Sequence, residues 1–371
     1  MRLSHIQHIN YVSEVTNISE YDFVASVLTS WQFDVLIAYV QSHHLANGVL
    51  IVEAVPFSDT IKFRLSEEQV LRYENLFAEI YFCRYRKQPY RVGNLLQSLF
   101  CCNKEKPVVW LRPLPNISLR QLSNLVVPGR PIHFVALDEG VSSYTPQIDS
   151  YKMMYPNKAV AYRKWLVQRI LNRVGAIYIR TKEEFGLFRR QGNSLVPDKE
   201  ACYALRQVYN ARVSHHTDTK RCILLFKDYS IVPDEKEISI VNEILAGIQS
   251  DDVDIIIKKH PQDTQSSFDE IVAAKYPNAR IINSMNSGEE LVAEYNPQVI
   301  IGGFSTVLIS SCVMFDIPVV SFAGIYTKNR MVPPMRERQI NFFIDKLGDY
   351  IDFCQSASDV CENVKRSISA E

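Results

Sequence analysis

Three short polar clusters in the chain carry the residue types that acid–base chemistry and anion binding require. They are Asp138-Glu139-Gly140, Lys258-Lys259-His260-Pro261 and Gly302-Gly303-Phe304-Ser305-Thr306. Each cluster follows a short apolar run that is typical of a buried β-strand. Ligands of open α/β sheets bind outside the carboxyl ends of the strands, so we expect the chemistry at these three strand ends.

The first cluster offers a pair of neighbouring carboxylates. Asp138 and Glu139 end the apolar run IHFVAL, and Gly140 permits a sharp turn after them. Adjacent carboxylates repel each other, so one of them can have a raised pKa and act as a general base near neutral pH. The alternative is structural, since aspartate at a strand-to-helix turn is a common helix N-cap.

The second cluster combines a histidine with two lysines. His260 can donate a hydrogen bond to a phosphate or protonate a leaving group, and Pro261 ends the strand. Lys258 and Lys259 add positive charge that suits an anionic ligand. A surface histidine at a strand end, beside ordinary exposed lysines, explains the same residues without a function.

The third cluster predicts an anion site at the start of a helix. Gly302 and Gly303 let a ligand approach the backbone, and Ser305 and Thr306 open an apolar helix. Backbone N–H groups and hydroxyls at a helix start bind anions. Two alternatives stay open: a plain serine N-cap, and a hydrolase elbow in which Val307 replaces the last glycine of G-x-S-x-G.

The elements that must position these clusters alternate between strands and helices along the whole chain. Apolar runs that predict strands lie at 22–29, 48–53, 107–111, 132–137, 176–180, 222–226, 253–257, 280–282, 298–301 and 318–322. The alternation predicts an α/β fold of two doubly wound, Rossmann-like domains. We place them at residues 1–210 and 211–371, with a final helix that packs back.

The composition excludes several classes of protein. Among the 371 residues, 41 basic side chains balance 41 acidic ones, which argues against a dedicated nucleic-acid binder. Eight cysteines without metal-type spacing indicate reduced thiols of a cytoplasmic protein. We expect no leader segment, and the uncharged run 295–315 holds too many polar residues for a membrane span. The pair Asp252 and Asp254 stands at the amino end of a predicted strand, so we expect no metal site there.

The order and positions of the three clusters resemble those of bacterial sialyltransferases of glycosyltransferase families 52, 80 and 38, including capsule polysialyltransferase-like enzymes. Those families share a D/E-D/E-G motif, an H-P motif and a later S-S/T pair, which here are Asp138-Glu139-Gly140, His260-Pro261 and Ser305-Thr306. The resemblance implies the GT-B architecture, in which two Rossmann-like domains face each other across a cleft. It also implies an inverting transfer from CMP-sialic acid that needs no metal and no other cofactor.

The resemblance assigns the catalytic roles. Asp138 would be the general base that takes the proton of the acceptor hydroxyl, with Glu139 in support. His260 would contact the CMP phosphate and assist its departure. The first domain would then carry the acceptor and the base, and the second would bind the CMP-sugar donor.

The resemblance also assigns the binding residues. Ser305 and Thr306 would hold the CMP phosphate, and the donor-binding set is completed by Lys259, Pro261, Ser287, Glu289 and Gly303. Ser287 and Glu289 match the family's S-x-E stretch, which places Glu289 on the ribose hydroxyls, although Glu289 is also a plausible helix start. Ser30 and Gln32 are expected on the acceptor side, and a helix start with Trp31 packed in the core is the favoured alternative.

Two basic-aromatic stretches bear on the partners. They comprise Arg84, Arg86, Lys87 and Arg91 among aromatic residues, and Arg163, Lys164, Arg169 and Arg173 around Trp165. They suit an anionic glycan or the cytoplasmic face of the inner membrane, and a solvated helix face is the favoured alternative.

From the sequence we therefore expect a cytoplasmic sialyltransferase with peripheral membrane contact. Its partners would be CMP-sialic acid and a glycan acceptor of lipooligosaccharide or capsule, and not a nucleic acid. One rival keeps the fold but uses another CMP-activated nonulosonate or Kdo. A second rival is a non-catalytic glycan-binding assembly protein.

Overall fold

The computed structural model describes residues 5–15, 20–54, 64–85, 108–113, 132–144, 157–175, 179–214, 221–228, 231–250, 252–260, 263, 267–282 and 286–369. The chain divides into two compact units, Met1–Arg189 and Arg190–Glu371. The sequence places the boundary near residue 210. The structure assigns the helix Lys199–Asn210 to the second unit, where it packs against two helices of that unit.

The first unit is built on a seven-stranded sheet in the order β1-β4-β3-β2-β5-β6-β7. The strands are β1 (His5–Tyr11), β2 (Phe23–Val27), β3 (Gly48–Glu53), β4 (Phe77–Tyr85), β5 (Val108–Pro113), β6 (Ile132–Leu137) and β7 (Ile179–Phe185). The α-helices within the described residues of this unit are α1 (Ser30–Ser42), α2 (Glu67–Leu71), α3 (Val141–Tyr144) and α4 (Lys158–Gly175). Every neighbouring pair of strands is parallel, so all the carboxyl ends lie at one edge.

The second unit is built on a six-stranded parallel sheet in the order β12-β11-β10-β13-β14-β15. A small two-stranded sheet is formed by β8 (Phe188–Gln191), within which the chain divides into the two units, and β9 (Ser194–Pro197). The strands of the larger sheet are β10 (Arg221–Lys227), β11 (Val253–Lys259), β12 (Ala279–Ile282), β13 (Val299–Gly302), β14 (Val319–Ser321) and β15 (Asp352–Phe353).

Eight helices belong to the described part of the second unit. They are α5 (Lys199–Asn210), α6 (Asp234–Ile248), α7 (Ser267–Lys275), α8 (Gly288–Tyr295), α9 (Thr306–Met314), α10 (Ala323–Lys328), α11 (Pro334–Leu347) and α12 (Ala357–Ser369). The final helix, α12, packs on α6 within this unit. Val241, Ile244, Leu245 and Ile248 recur at helical spacing and form one buried face of α6.

Both sheets have the doubly wound topology that the alternation predicts. Numbered along the chain, β2 to β7 lie in the order 3-2-1-4-5-6, and so do β10 to β15. The expected α/β fold class of two doubly wound, Rossmann-like domains is confirmed by these sheets. In such a sheet the ligand binds where the strand order reverses, which is between β2 and β5 in the first unit and between β10 and β13 in the second.

The uncharged run 295–315 forms β13, a turn and the buried helix α9, as the sequence predicts. Among the described residues, none of the helices has both the length and the apolar character that a membrane crossing requires. The six cysteines within the described ranges carry free thiols, and four of them are buried.

Strand β4 is the main element that the sequence analysis did not predict. Its Tyr81 and Phe82 are buried, so these two aromatic residues of the first basic-aromatic stretch belong to the core. Arg84 is exposed at the end of this strand. Arg86, Lys87 and Arg91 lie outside the described residues.

Candidate active site

Asp138 directly follows β6 and is enclosed by hydrogen-bond donors. Its Oδ1 accepts a hydrogen bond from the N–H of Gly140 at 2.5 Å. Its Oδ2 accepts one from the N–H of Leu187 at 3.1 Å and one from the hydroxyl of Tyr144. The side chain is only 2% exposed. Asp138 therefore stabilises the turn that leads into α3. This is a structural role of the kind that the sequence leaves open as the alternative to a general base.

Burial also changes the acid–base character of Asp138. It raises the pKa of this carboxyl, and the hydrogen bonds from Tyr144, Leu187 and Gly140 oppose that effect. A raised pKa makes a carboxylate a stronger base, which is what proton abstraction from a hydroxyl requires. The close fit depends on Gly186, since a Cβ there would lie 2.4 Å from Cβ of Asp138.

Glu139 is the more accessible carboxylate of the pair. Its side chain is half-buried, and its backbone N–H donates to Oγ of Ser143 at 2.6 Å. Gly140, the third residue of the motif, has φ +82°, which a residue with a side chain rarely adopts. The motif thus forms a fixed turn with one enclosed and one accessible carboxylate.

Ser30 and Gln32 lie at the start of α1, beside the point where the first sheet reverses its order. Oγ of Ser30 accepts a hydrogen bond from Gln69 at 3.3 Å, and Oε1 of Gln32 accepts one from the N–H of Leu28 at 2.8 Å. Both contacts stabilise the local structure, as the helix-start alternative expects. Within the described part of the chain, the buried indole N–H of Trp31 has no hydrogen-bond partner.

The end of β11 presents the histidine and buries the lysines. His260 is exposed, and its carbonyl accepts a hydrogen bond from the N–H of Asp263 at 2.8 Å. The ammonium of Lys259 contacts both carboxylate oxygens of Asp269 on α7, at 2.6 and 2.8 Å. Lys258 is buried, and burial lowers its pKa. Pro261 lies outside the described residues.

Helix α9 begins directly beyond the carboxyl end of β13. Ser305 occupies its N-cap position, but the serine side chain makes no capping hydrogen bond to the helix. The first N–H groups of a helix have no partner within the helix, so this start can bind an anion. Ser305 and Thr306 are both half-buried. Ser305 has an extended backbone, φ −138° and ψ 152°, and not the strained turn of a hydrolase elbow.

Ser287 and Glu289 belong to the start of α8. Ser287 forms a capping box with Glu290, accepting its N–H at 3.1 Å and donating its own N–H to the Glu290 carboxylate at 2.9 Å. Glu289 is buried and accepts a hydrogen bond from Oγ of Ser310 at 2.9 Å. Glu289 is therefore part of the contact between α8 and α9.

Asp228 is a candidate residue that the sequence analysis missed. It follows β10, the strand that lies between β11 and β13, so it stands between the strand ends of His260 and Gly303. Its Oδ2 accepts a hydrogen bond from the N–H of Phe304 at 2.7 Å. A Cβ on Gly303 would lie 2.0 Å from the same oxygen. The sequence predicts that a ligand approaches the backbone at Gly303. In the structure the carboxyl of Asp228 lies there.

The structure shows no grouping of ligands for a metal among the residues it describes. Histidine, cysteine and carboxylate side chains there form no set of three that could hold an ion. Asp252 and Asp254 lie at the amino end of β11, as the sequence predicts. Metal independence stays a prediction.

Comparison with known families gives one match in the second unit. Residues 196–323 match the family model of alpha-2,8-polysialyltransferase (POLYST), which is about a third of the 371 residues. The match contains His260, Ser305 and Asp228, whereas Asp138 and Glu139 lie outside it. No curated protein sequence matches the chain.

Solved structures resemble the chain in fold at very low sequence identity. A protein of Listeria monocytogenes described as a putative UDP-N-acetylglucosamine 2-epimerase has 10% identity and a TM-score of 0.51, with 94% of this chain and 88% of that chain covered. The GT-B domain of a sialyltransferase from Photobacterium damselae has 10% identity and a TM-score of 0.42, covering 89% and 99%. A 2,6-sialyltransferase of Photobacterium sp. JT-ISH-224, solved with CMP and lactose, has 11% identity and a TM-score of 0.40, covering 89% and 78%.

The first of these structures shows the shared fold, and the two sialyltransferases are too distant in structure to add to it. The polysialyltransferase match supports the resemblance that the motifs indicate. With the two doubly wound domains, it identifies the chain as a glycosyltransferase similar to the bacterial sialyltransferases of the GT-B type.

Proposed function

We propose that the protein transfers sialic acid from CMP-sialic acid to a hydroxyl of a bacterial surface glycan, in lipooligosaccharide or capsule. The start of α9 is the observation that supports this donor best. The helix start can bind an anion, and the Ser305 hydroxyl there makes no capping hydrogen bond, at the point where the second sheet reverses its order. This point also lies within the segment that matches the polysialyltransferase family.

The proposed reaction is a single displacement with inversion. Asp138 takes the proton of the acceptor hydroxyl while that oxygen forms a bond to the anomeric carbon of sialic acid. The bond from that carbon to the CMP phosphate oxygen breaks, and CMP leaves with the electron pair. His260, Ser305 and Thr306 stabilise the phosphate charge by hydrogen bonds, so the step needs no metal and no cofactor.

Glu139, the neighbour of Asp138, is the other candidate for the general base. Asp138 has the raised pKa, whereas Glu139 has the greater exposure. Asp138→Asn and Glu139→Gln keep the size of each side chain and remove its basicity. We expect the first substitution to reduce turnover far more than the second, and the reverse order would transfer the role to Glu139.

The donor is tested by nucleotide release without an acceptor. The protein is incubated with CMP-sialic acid, CMP-Kdo, another CMP-nonulosonate such as CMP-pseudaminic acid, and UDP-N-acetylglucosamine, and each released nucleotide is quantified. We expect release from CMP-sialic acid. Release from CMP-Kdo or from the other nonulosonate alone would favour the rival donors. No release from any donor, together with no binding of CMP, would favour a non-catalytic glycan-binding protein.

The proposed location is the cytoplasmic face of the inner membrane, with α4 as the contact. This helix contains five basic residues and no acidic one. Apolar side chains on it are exposed, with Tyr162 at 56%, Leu166 at 42% and Ile170 at 54%. Such a helix suits the surface of anionic lipid, where the apolar residues insert and the basic residues contact headgroups.

Vesicle binding tests this location. The protein is floated with vesicles of phosphatidylcholine alone and of phosphatidylcholine mixed equally with phosphatidylglycerol. We expect binding to the anionic vesicles only, and loss of binding in the double variant Leu166→Glu, Ile170→Glu. Tyr203 on α5 is 66% exposed, so Tyr203→Glu is the matched control. Absence of binding to the anionic vesicles at low salt would overturn the proposed membrane contact.

A further inference from the structure

A buried cluster of ionisable side chains lies beneath the proposed phosphate site. The ammonium of Lys227 has no exposed surface and contacts Asp234 at 2.5 Å, Asp263 at 2.8 Å and Glu237 at 3.9 Å. Asp228 follows it along the chain. The charged groups that face one another are Lys227, Asp228, Asp234, Glu237, Asp263 and, on α11, Arg336.

This cluster has more acids than bases. Among the described residues, four carboxyl groups, three of them buried, face two cations, so full ionisation would leave an excess of negative charge in a largely buried place. Removal of a charge from water is costly unless the charge is paired, and a carboxyl in that position retains its proton instead. A proton shared within the cluster relieves the excess.

Asp228 and Glu237 are the members that hold this proton. Burial raises the pKa of Asp228 to about 6, although the hydrogen bond from Phe304 opposes it. Burial and the charge of Asp228 raise the pKa of Glu237 to about 8. The two residues are directly linked, because the N–H of Asp228 donates to Oε1 of Glu237 at 2.6 Å.

Asp228 also connects the cluster to the loop that starts α9. Its Oδ2 receives the N–H of Phe304 at 2.7 Å and the hydroxyl of Tyr326 at 3.3 Å. The first of these bonds fixes the backbone directly before Ser305. Any anion bound at the start of α9 therefore adds negative charge close to the carboxyl that holds the loop in place.

We propose that Asp228 is a positioning residue for the donor-phosphate loop, and that donor binding is coupled to uptake of a proton by the Asp228–Glu237 pair. The phosphate repels the charge on the pair, and the proton removes that repulsion while the hydrogen bond to Phe304 persists. This inference rests on the proposed function, because the anion is the phosphate of the CMP donor. It predicts that the affinity for CMP falls as the pH rises above neutrality.

The test measures proton exchange when CMP binds to the full chain. Calorimetric titrations at about pH 8 are repeated in buffers with different ionisation enthalpies, and the difference gives the number of protons taken up. At this pH free histidine and the phosphate of CMP have already lost their protons. We expect wild-type protein to take up about 0.2–0.5 proton per CMP bound.

Substitutions test whether the Asp228–Glu237 pair or a neighbouring group takes up the proton. Glu237→Gln and Asp228→Asn should each reduce the uptake to near zero. Asp345 on α11 is exposed and pairs with Lys346 at 2.7 Å, outside the cluster, so Asp345→Asn is the matched control and should retain the uptake. His260→Gln should also retain it, and loss of uptake in this variant would assign the proton to His260 and overturn the inference.

The positioning role has its own measurement. Asp228→Asn keeps a carbonyl oxygen that can accept the N–H of Phe304, whereas Asp228→Ala does not. We expect the alanine variant to weaken CMP binding by about tenfold or more and the asparagine variant to weaken it less. Equal effects would overturn the positioning role. Wild-type protein that binds CMP without proton uptake would overturn the coupling alone, whereas failure to bind CMP would overturn the proposed donor and this inference together.

Discussion

The substitution Gly303→Ala tests how the donor loop is held. A Cβ at this position would lie 2.0 Å from Oδ2 of Asp228 and 2.7 Å from the hydroxyl of Tyr326. Contacts this short do not persist in folded proteins, so the loop and the carboxyl must separate by about 1 Å. That movement breaks the bond from the N–H of Phe304, which is 2.7 Å long in the native protein.

The cost follows from these contacts. Overpacking costs about 1–3 kcal/mol, and the loss of a hydrogen bond to a buried carboxyl costs about 1.5–3 kcal/mol. We therefore expect the free energy of unfolding of the second unit to fall by about 3–5 kcal/mol. A displacement of about 1 Å at the start of α9 should also raise the Kd for CMP by about 10–100-fold.

Chemical denaturation and calorimetric titration with CMP measure both effects. Gly192→Ala is the matched control, because Gly192 has φ +63° and an added Cβ would meet no atom of the described residues within 4 Å. It should lower stability by about 1–2 kcal/mol through backbone strain alone and leave the Kd for CMP unchanged. The reasoning is refuted if Gly303→Ala binds CMP as tightly as wild-type protein does.

Further predictions concern the proposed base, the histidine, the phosphate loop and the buried pair. Asp138→Asn should lower turnover by about 10²–10⁴-fold with the Kd for CMP unchanged, and near-normal turnover would contradict its role as base. His260→Gln should lower kcat by a similar factor in single-turnover assays, and an unchanged kcat would exclude assistance to the leaving phosphate. Ser305→Ala should raise the KM for the donor by about tenfold, since it removes one hydrogen bond to the phosphate. The pKa of Glu237 is raised to about 8 in the native state, so the native state binds this proton more tightly than the unfolded chain does. The proton therefore stabilises the native state at low pH, and this stability is lost as the pH rises through neutrality to about 8. The free energy of unfolding of Glu237→Gln should thus depend less on pH over that window than that of wild-type protein, and parallel pH profiles would contradict it.

The strands of the second unit could be predicted because parallel strands covered on both faces are continuous apolar runs. The runs at 222–226, 253–257 and 298–301 became β10, β11 and β13 with small shifts at their ends. Glycine and charged residues after each run marked the carboxyl ends. The same rule predicts from the sequence alone that the three motif clusters lie at strand ends.

Strand β4 escaped prediction because its polar and aromatic residues obscure the apolar pattern. Glu79 and Arg84 interrupt the apolar run, and the buried side chains of the strand include the aromatic residues Tyr81 and Phe82. A tyrosine beside arginines is compatible with either a surface or a buried position. The burial of this strand follows from its place between β1 and β3, which the local sequence does not indicate.

Asp228 escaped prediction for a different reason. A single Lys-Asp pair after a strand matches no motif, and its importance lies in contacts with residues far along the chain, such as Phe304 and Tyr326. The strand-end rule contains the signal nonetheless. Applied to β10 as it was to β11 and β13, it would have singled out Lys227 and Asp228 as candidates.

The roles of Ser287 and Lys259 show the limit of motif reasoning. The serine forms a capping box with Glu290, and the lysine binds Asp269. A motif gives the residue type and its spacing, but the same oxygen or ammonium can stabilise the fold or bind a ligand. The donor-binding roles of these two residues stay predictions.

The most direct test of the account is release of CMP from CMP-sialic acid by the purified protein, in EDTA and without acceptor. We predict slow release by wild-type protein that is unaffected by EDTA and lost in His260→Gln. Release that needs a divalent cation would contradict metal independence. An absence of both release and CMP binding would contradict the proposed donor.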